Sequence, residues 1–204
     1  MCDADVARAK GWKVEDLAAA FVRGGAPIIQ LRAKSASSLW LYESSLRLLQ
    51  LARPAGTKII VNDRADVARL AGADGVHVGQ TDLTPAAVRM LLGDDAIVGR
   101  STHSDEQAEG AILEPISYLA IGPVFDSATK RGAHPTIGLT GVRRAAKIAD
   151  RAGIPLVAIG GITLERAAEV IAAGAAAVAV IGDLLATRDP EGRVRAYLEM
   201  LASR

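Results

Sequence analysis

VNDRADVARLAGADGVHVGQTDL, residues 61–83, contains the end of one short apolar run, a helix-like stretch and a complete second apolar run. The first run stops at Asn62 and Asp63, and the second, Gly75–Val78, is soon followed by Asp82. Short Val-rich and Ile-rich runs predict buried strands, and the stretch between them has the length of a crossover helix. The segment therefore predicts two parallel strands, each with an aspartate just beyond its carboxyl end.

The same alternation of strand and helix recurs along the chain. Seven strands are predicted: Pro27–Leu31, Lys58–Val61, Gly75–Val78, Ala96–Gly99, Tyr118–Ile121, Pro155–Ile159 and Ala177–Ile181. Strands alternating with helices predict a parallel sheet, and the repetition predicts an α/β protein with a TIM (β/α)8-type barrel, one domain over residues 1–204. An open doubly wound sheet is the alternative, although no G-x-G-x-x-G follows the first predicted strand, which weakens its dinucleotide-binding form.

The count of strands is one short of a complete barrel. The chain opens on a predicted helix at Val14–Gly24, and no strand is recognisable before it. A barrel without its first strand would leave two unpaired strand edges, which is costly. Either the numbered chain starts late, or the first dozen residues have a role that the pattern does not reveal. The preferred expectation is that the first strand is absent from the numbered chain, because of a start site placed too far downstream.

Composition and charge exclude several classes of function. The formal net charge of +1 points neither to a nucleic-acid partner nor to a membrane partner. Cys2 is the single cysteine, so neither an internal disulfide nor a cysteine metal site is expected. The N-terminal residues lack an apolar signal core, and no apolar run approaches the roughly 18 residues of a membrane span. The sequence predicts a cytoplasmic protein and leaves the oligomeric state open.

Polar residues cluster where the predicted strands end, which is where barrel enzymes carry their chemistry. Asp63 and Asp82 follow consecutive strands, so their carboxylates are expected to converge. Two carboxylates repel each other unless a cation lies between them, and carboxylate and phosphate oxygens together suit Mg²⁺. Further strand-end residues include Gln30, Arg32, Lys34, Asn62, Ser101, His103, Ser127, Thr129, Lys130, Gly160, Gly161, Ile181 and Gly182. The set predicts a site for a diphosphate on Mg²⁺, with a second phosphate at the last two loops.

Each of these residues also has a purely structural interpretation. Asp63 could cap the next helix, and Asp82 could be a turn residue before it. Lys34 could be a solvated surface charge, as could Arg32. His103 could be structural, and His77 is interpreted as structural because it alternates with valines inside a strand. The coincidence of five polar clusters with strand ends favours the functional interpretation.

Several motifs resemble those of the thiamine-phosphate synthase family, from about Gly11 to the C-terminus. They are QLRAK, the segment 61–83, GRSTHS, IGPVFDSATK and VAIGGI, in family-like order and spacing. The resemblance implies a transferase that joins hydroxymethylpyrimidine diphosphate to a thiazole phosphate and releases pyrophosphate. It also implies a dissociative reaction, with Mg²⁺ bound by Asp63 and Asp82.

The resemblance assigns further residues to the two substrates. The pyrimidine diphosphate would be held by Gln30, Arg32, Lys34, Asn62, Ser101 and Lys130, with Lys130, Arg32 and Ser101 counted as catalytic. The thiazole phosphate would be held by Ser127, Thr129, Gly161, Ile181 and Gly182. The chain departs from the family pattern at Ala33, where an acid is common, at Ser127 in the lysine loop, and at Gly182, where a serine is usual.

Two other functions remain open from the sequence. Thiazole tautomerase, a sister enzyme of the same fold, would use His103 as acid and base and needs no Mg²⁺ pair. Retention of Asp63 and Asp82 therefore favours the synthase. The second alternative is a non-catalytic barrel that binds a phosphate ligand, since a fold alone never fixes a function.

Overall fold

The parallel barrel predicted from the alternating pattern is confirmed. The computed structural model describes residues 1–126 and 134–202, and its eight parallel strands are ordered as they occur in the chain. The strands are β1 Cys2–Asp3, β2 Ile28–Arg32, β3 Lys58–Asn62, β4 Gly75–Val78, β5 Ile97–Thr102, β6 Tyr118–Ile121, β7 Leu156–Ile159 and β8 Ala177–Ala179. The helices are α1 Ala4–Ala9, α2 Val14–Arg23, α3 Ser38–Ala52, α4 Ala65–Ala71, α5 Pro85–Leu92, α6 Asp105–Ala111, α7 Gly138–Arg151, α8 Leu164–Ala172 and α9 Pro190–Ala202. Short 3-10 helices lie at Arg53–Ala55 and Gly182–Leu185.

The core lies between the sheet and the helices that cover it. Ile59, Ile60 and Val61 of β3 are all buried, as expected for a strand enclosed on both faces. The long helix α7 contributes Val142 and Ala145 from its apolar stripe. Burial of aliphatic side chains on this scale supplies the main driving force for folding.

The expectation that the first strand is missing is wrong. Cys2 and Asp3 form β1, which pairs in parallel with Leu31 and Arg32 of β2. Two residues without valine or isoleucine carry no recognisable strand pattern, so the sequence gives no sign of this element. The α-amino group of Met1 donates a hydrogen bond to the carbonyl oxygen of Val180, at 2.8 Å, so the two ends of the sheet meet.

Some element boundaries differ from the prediction in ways that affect the site. β5 continues through Thr102, so Ser101 lies inside the strand rather than after it. β8 ends at Ala179, which leaves Ile181 and Gly182 in the turn that begins a 3-10 helix. Over the described parts of the chain, no helix combines the length and the apolarity needed to span a bilayer.

Candidate functional site

Asp63 is the residue immediately after β3, and its backbone fixes the direction of its carboxylate. Its N–H donates to the carbonyl oxygen of His77 at 2.8 Å, and its φ of +65° lies in the left-handed region. Aspartate adopts this region more readily than most residues other than glycine. The N-cap position of α4 is occupied by Arg64, so the structure does not favour the helix-cap interpretation of Asp63.

Asp82 lies in the loop after β4, with its side chain near that of Asp63. Its Oδ2 accepts a hydrogen bond from the N–H of Gly79 at 2.7 Å, which fixes the turn. The side chains of Asp63 and Asp82 are close enough to interact by charge and by hydrogen bonding. Lys34 Nζ, from the loop after β2, lies 3.4 Å from Asp63 Oδ2. Burial, followed by the charge of Asp82, raises the pKa of the Asp63 carboxyl, while Lys34 opposes the shift.

The donor set at this pair suits Mg²⁺. The raised pKa of Asp63 means that its ionised form is disfavoured in the absence of a compensating cation. Across residues 1–126 and 134–202, no cluster of three or more His, Cys, Asp or Glu side chains is arranged to hold a metal. Two carboxylates, with water or phosphate oxygens completing the coordination, would match the ligand set that is usual for Mg²⁺.

Arg32 forms an ion pair that the sequence did not reveal. Its Nη1 donates to Asp3 Oδ2, and the two side chains are only 16% and 1% exposed. Asp3 Oδ1 also accepts from the N–H groups of Asp5 and Val6, each at 3.1 Å, and thereby caps α1. An aspartate directly before a helical pattern is an N-cap signal. The short β1 thus positions Arg32, one of the residues expected at the diphosphate.

A hydrogen-bonded chain crosses the inside of the barrel below the rim. His77 Nδ1 lies 2.8 Å from the Tyr118 hydroxyl, and His77 Nε2 lies 2.7 Å from Ser101 Oγ. Burial raises the pKa of the Tyr118 hydroxyl, and the nearby side chain of Gln30 opposes that shift. The sequence predicts a structural role for His77, and the residue is buried, but its ring also hydrogen-bonds to the hydroxyl of Ser101.

Gly99 makes room for this chain. A Cβ at Gly99 would lie 2.1 Å from Tyr118 Cζ and 2.4 Å from His77 Nδ1, so a side chain here would displace both rings. The Oε1 atom of Gln30 is buried and has no hydrogen-bond partner among the residues that the structure describes. A buried acceptor of this kind normally requires a partner, and a ligand N–H at the mouth of the barrel would supply one.

The last two strand ends form the other side of the rim. Gly160 and Gly161 both have positive φ, at +104° and +62°. A Cβ at Gly161 would lie 2.4 Å from the backbone oxygen of Asp126, so this turn packs tightly against the loop after β6. Ile181 precedes the 3-10 helix that starts at Gly182. Asp183, which the sequence did not single out, accepts a hydrogen bond from the N–H of Leu164 at 3.1 Å.

The remaining expected site residues have different outcomes. Asn62 ends β3 and is buried, next in the chain to Asp63. His103 Nδ1 lies 2.6 Å from the carbonyl oxygen of Gly122, and its ring stacks on His134 with centroids 3.7 Å apart. Ser127, Thr129 and Lys130 lie outside the residues that the structure describes.

These features define an α/β-barrel protein with paired carboxylates and basic side chains at the carboxyl ends of its strands. Residues 5–184 match the family model described as thiamine monophosphate synthase. The chain belongs to this thiamine monophosphate synthase family.

Individual relatives agree with the family match. A thiamine-phosphate synthase of Koribacter versatilis is 44% identical over 182 residues, which is 89% of this chain and 83% of the relative. One from Thermus thermophilus is 42% identical and covers 94% of this chain and 92% of its own. The solved structure of a thiamine phosphate pyrophosphorylase from Pyrococcus furiosus superposes with a TM-score of 0.82 at 32% identity, covering 93% of this chain and 89% of that one. The chain is thus an enzyme of the transferase class, and these matches favour neither the tautomerase nor the non-catalytic binder.

Proposed function

We propose that the chain joins 4-amino-5-hydroxymethyl-2-methylpyrimidine diphosphate to hydroxyethylthiazole phosphate, giving thiamine monophosphate and pyrophosphate. The observation that carries the proposal is the Asp63–Asp82 pair beside Lys34, at the carboxyl ends of adjacent strands. Family membership supports the same reaction.

Asp63 and Asp82 would hold Mg²⁺, which supplies positive charge against the diphosphate leaving group. The carbon–oxygen bond to the diphosphate breaks first, and its electron pair leaves with the diphosphate. Lys34 and Arg32 stabilise the charge that develops on these oxygens, which lowers the barrier. The sequence adds Lys130 to this group of cations.

The pyrimidine would lie over the interior hydrogen-bonded chain. The unpartnered Oε1 of Gln30 is suited to accept a hydrogen bond from the pyrimidine amino group. Ser101, held by His77, and Asn62 at the end of β3 would hold the same substrate. Departure of the diphosphate leaves a pyrimidine-methyl cation, and this arrangement would place that cation where the thiazole nitrogen captures it. No nucleophilic side chain is required for either step.

The thiazole phosphate would bind at the turns that follow β7 and β8. The backbone N–H groups near Gly161, Ile181 and Gly182 are suited to a phosphate, as is common at these loops of a barrel. Gly182 offers no hydroxyl where the family usually has serine, so the backbone carries more of the binding. Ser127 and Thr129 are assigned to the same substrate from the sequence.

Pyrophosphate release tests the proposal directly. The protein is mixed with both substrates, with and without Mg²⁺, and release that requires Mg²⁺ and both substrates is the expected result. Release without Mg²⁺, or none from folded protein, would contradict it. His103→Ala adds a second criterion, because a synthase should keep much of its activity whereas a tautomerase should lose it.

A further inference from the structure

We propose that Asp183 is a positioning residue that sets the distance between the two turns at the thiazole phosphate. Asp183 acts through α8 and α9 and does not itself touch the substrate. The inference rests on the proposed function, because it concerns the phosphate end of that same site.

A single carboxylate connects three elements. Asp183 lies in the 3-10 helix immediately after Gly182, and its side chain is 9% exposed. Its Oδ2 accepts hydrogen bonds from the N–H of Leu164 at 3.1 Å and from the Tyr197 hydroxyl at 2.7 Å. Arg193 donates Nε to Oδ2 and Nη2 to Oδ1, both at 3.0 Å. The turn after β8 is thereby attached to the start of α8 and to α9.

The side chain that caps the N-terminus of α8 is that of Asp183, which lies neither in the helix nor in the loop before it. Thr163 occupies the N-cap position, but its side chain makes no capping hydrogen bond. A cap from Thr163 would fix only the helix, since the two are neighbours in the chain. A cap from Asp183 also fixes the turn at Gly182 relative to α8, which follows the Gly160–Gly161 turn. The two turns proposed to hold the phosphate therefore keep one spacing.

The charge of Asp183 argues against a direct role in binding an anion. A carboxylate near a phosphate repels it unless a cation neutralises the carboxylate. Arg193 supplies this neutralisation through two nitrogens, which is the strongest geometry for an arginine and a carboxylate. Asp183 thus affects phosphate binding in two opposite ways: its charge weakens binding, and its hydrogen bonds improve it by holding the turns in place.

This opposition makes the sign of a mutational effect informative. Asp183→Asn removes the negative charge and also places an NH2 group or a weaker acceptor against Arg193. If charge dominates, the phosphate ester binds more tightly to the variant. If positioning dominates, it binds more weakly. Tyr197→Phe removes one hydrogen bond to Asp183 without any change of charge, so it tests positioning alone. It should weaken binding of the phosphate ester, by less than Asp183→Asn does when positioning dominates.

Calorimetric titration with hydroxyethylthiazole phosphate and with the corresponding alcohol separates the phosphate from the rest of the ligand. For Asp183→Asn we expect about tenfold weaker binding of the phosphate ester, the loss typical of one charged hydrogen bond. For Tyr197→Phe we expect a loss of a few-fold on the same grounds. Affinity for the alcohol and for the pyrimidine diphosphate should change by less than about twofold. Glu165→Gln is the matched control: Glu165 also pairs with Arg193, at 3.3 Å, but is well exposed, and it should leave all three affinities unchanged.

Several results would overturn the inference. They are tighter or unchanged binding of the phosphate ester by folded Asp183→Asn, an equal loss for the alcohol, or no preference of the wild-type protein for the ester over the alcohol. If Asp183→Asn does not fold, unchanged binding by Tyr197→Phe overturns it equally. Wild-type protein that binds the ester but releases no pyrophosphate would contradict the proposed function alone. Normal pyrophosphate release with unchanged affinities in the variants would contradict the positioning role alone.

Discussion

The carboxyl groups of Asp63 and Asp82 lie close enough to interact by charge and hydrogen bonding, although they follow different strands and are 19 positions apart in the chain. The left-handed backbone of Asp63 and the turn closed by Asp82 both direct a carboxylate toward the same point. This convergence is the basis of the metal assignment, and it gives the first two predictions.

Removal of either carboxylate should abolish most Mg²⁺-dependent activity. Asparagine is the preferred replacement at Asp63, because it adopts the left-handed region more readily than alanine and so separates loss of charge from backbone strain. Asp63→Asn and Asp82→Asn should each lower kcat by about 10²–10³, the cost of losing one group that stabilises the transition state. Steady-state kinetics over a range of Mg²⁺ concentrations measures the effect. Asp66→Asn, an exposed aspartate three residues away, is the control, and wild-type activity in either of the first two variants would refute the metal assignment.

The same pair should give an unusual dependence of stability on pH when no divalent cation is present. Burial and Asp82 raise the pKa of Asp63 in the folded protein above its usual value of 3.8. Between the two pKa values the folded state binds more protons than the unfolded state, so this group's contribution to the unfolding free energy decreases as pH rises. Asp82→Asn removes the main charge that raises the pKa of Asp63, so the decrease of the unfolding free energy with rising pH should be smaller.

Urea unfolding in EDTA, from about pH 3.5 to 7, gives the unfolding free energy of wild type and of Asp82→Asn at each pH, and so compares how strongly each depends on pH. Asp66 provides a contrast of opposite sign, because Arg64 lowers the pKa of its carboxyl. The contribution of Asp66 should therefore be present above its usual pKa and be lost as pH falls. Parallel pH profiles for wild type and Asp82→Asn would contradict the prediction.

Tyr118→Phe should impair the use of the pyrimidine substrate more than it impairs stability. The hydroxyl hydrogen-bonds to His77, and the loss of one such hydrogen bond costs about 0.5–1.5 kcal/mol of stability. His77 then holds Ser101 less firmly, so the KM for the pyrimidine diphosphate should rise while that for the thiazole phosphate stays constant. Kinetics with each substrate varied in turn makes the comparison. Tyr42→Phe, on α3, serves as the matched control, and an equal rise in both KM values would argue for a general loss of structure.

Asp3→Ala should be among the more destabilising single changes in the barrel. It removes the partner of the mostly buried Arg32 and the cap of α1 together. Breaking a buried ion pair from one side typically costs about 3–5 kcal/mol. Chemical denaturation monitored by circular dichroism gives the value. Asp5→Ala breaks an exposed pair with Arg8 and should cost less than about 1 kcal/mol, so equal losses in the two variants would be inconsistent with this account.

The parts of the fold that the sequence predicts are those with a strong local pattern. Gly75–Val78 and Tyr118–Ile121 are strands with the predicted bounds, because each is a short apolar run between polar residues or glycine. β1 was not predicted because two residues cannot show an alternating pattern. Its existence depends on pairing with β2, which is a contact 29 residues away along the chain.

In the candidate site, too, the features that follow from local sequence patterns could be predicted, whereas those that depend on distant contacts could not. Asp63 and Asp82 could be placed together because they follow adjacent strands of a predicted parallel sheet. The partners of Arg32 and Asp183 could not be deduced, because Asp3 belongs to the unrecognised strand and Arg193 lies on another element. His77 was assigned to the core from its alternation with valines. That pattern identifies the face of the strand but carries no information about the hydroxyl groups on neighbouring strands.

Two hydroxyl groups, those of Tyr118 and Ser101, hydrogen-bond to the ring nitrogens of His77, and this makes the histidine a spectroscopic reporter. Each ring nitrogen faces one of them, so the imidazole tautomer records which hydroxyl donates and which accepts. A ligand that takes a hydrogen bond from Ser101 changes that balance without touching the ring. The nitrogen-15 chemical shifts of the His77 side chain should therefore register occupation of the pyrimidine site during a titration, even for ligands that undergo no reaction.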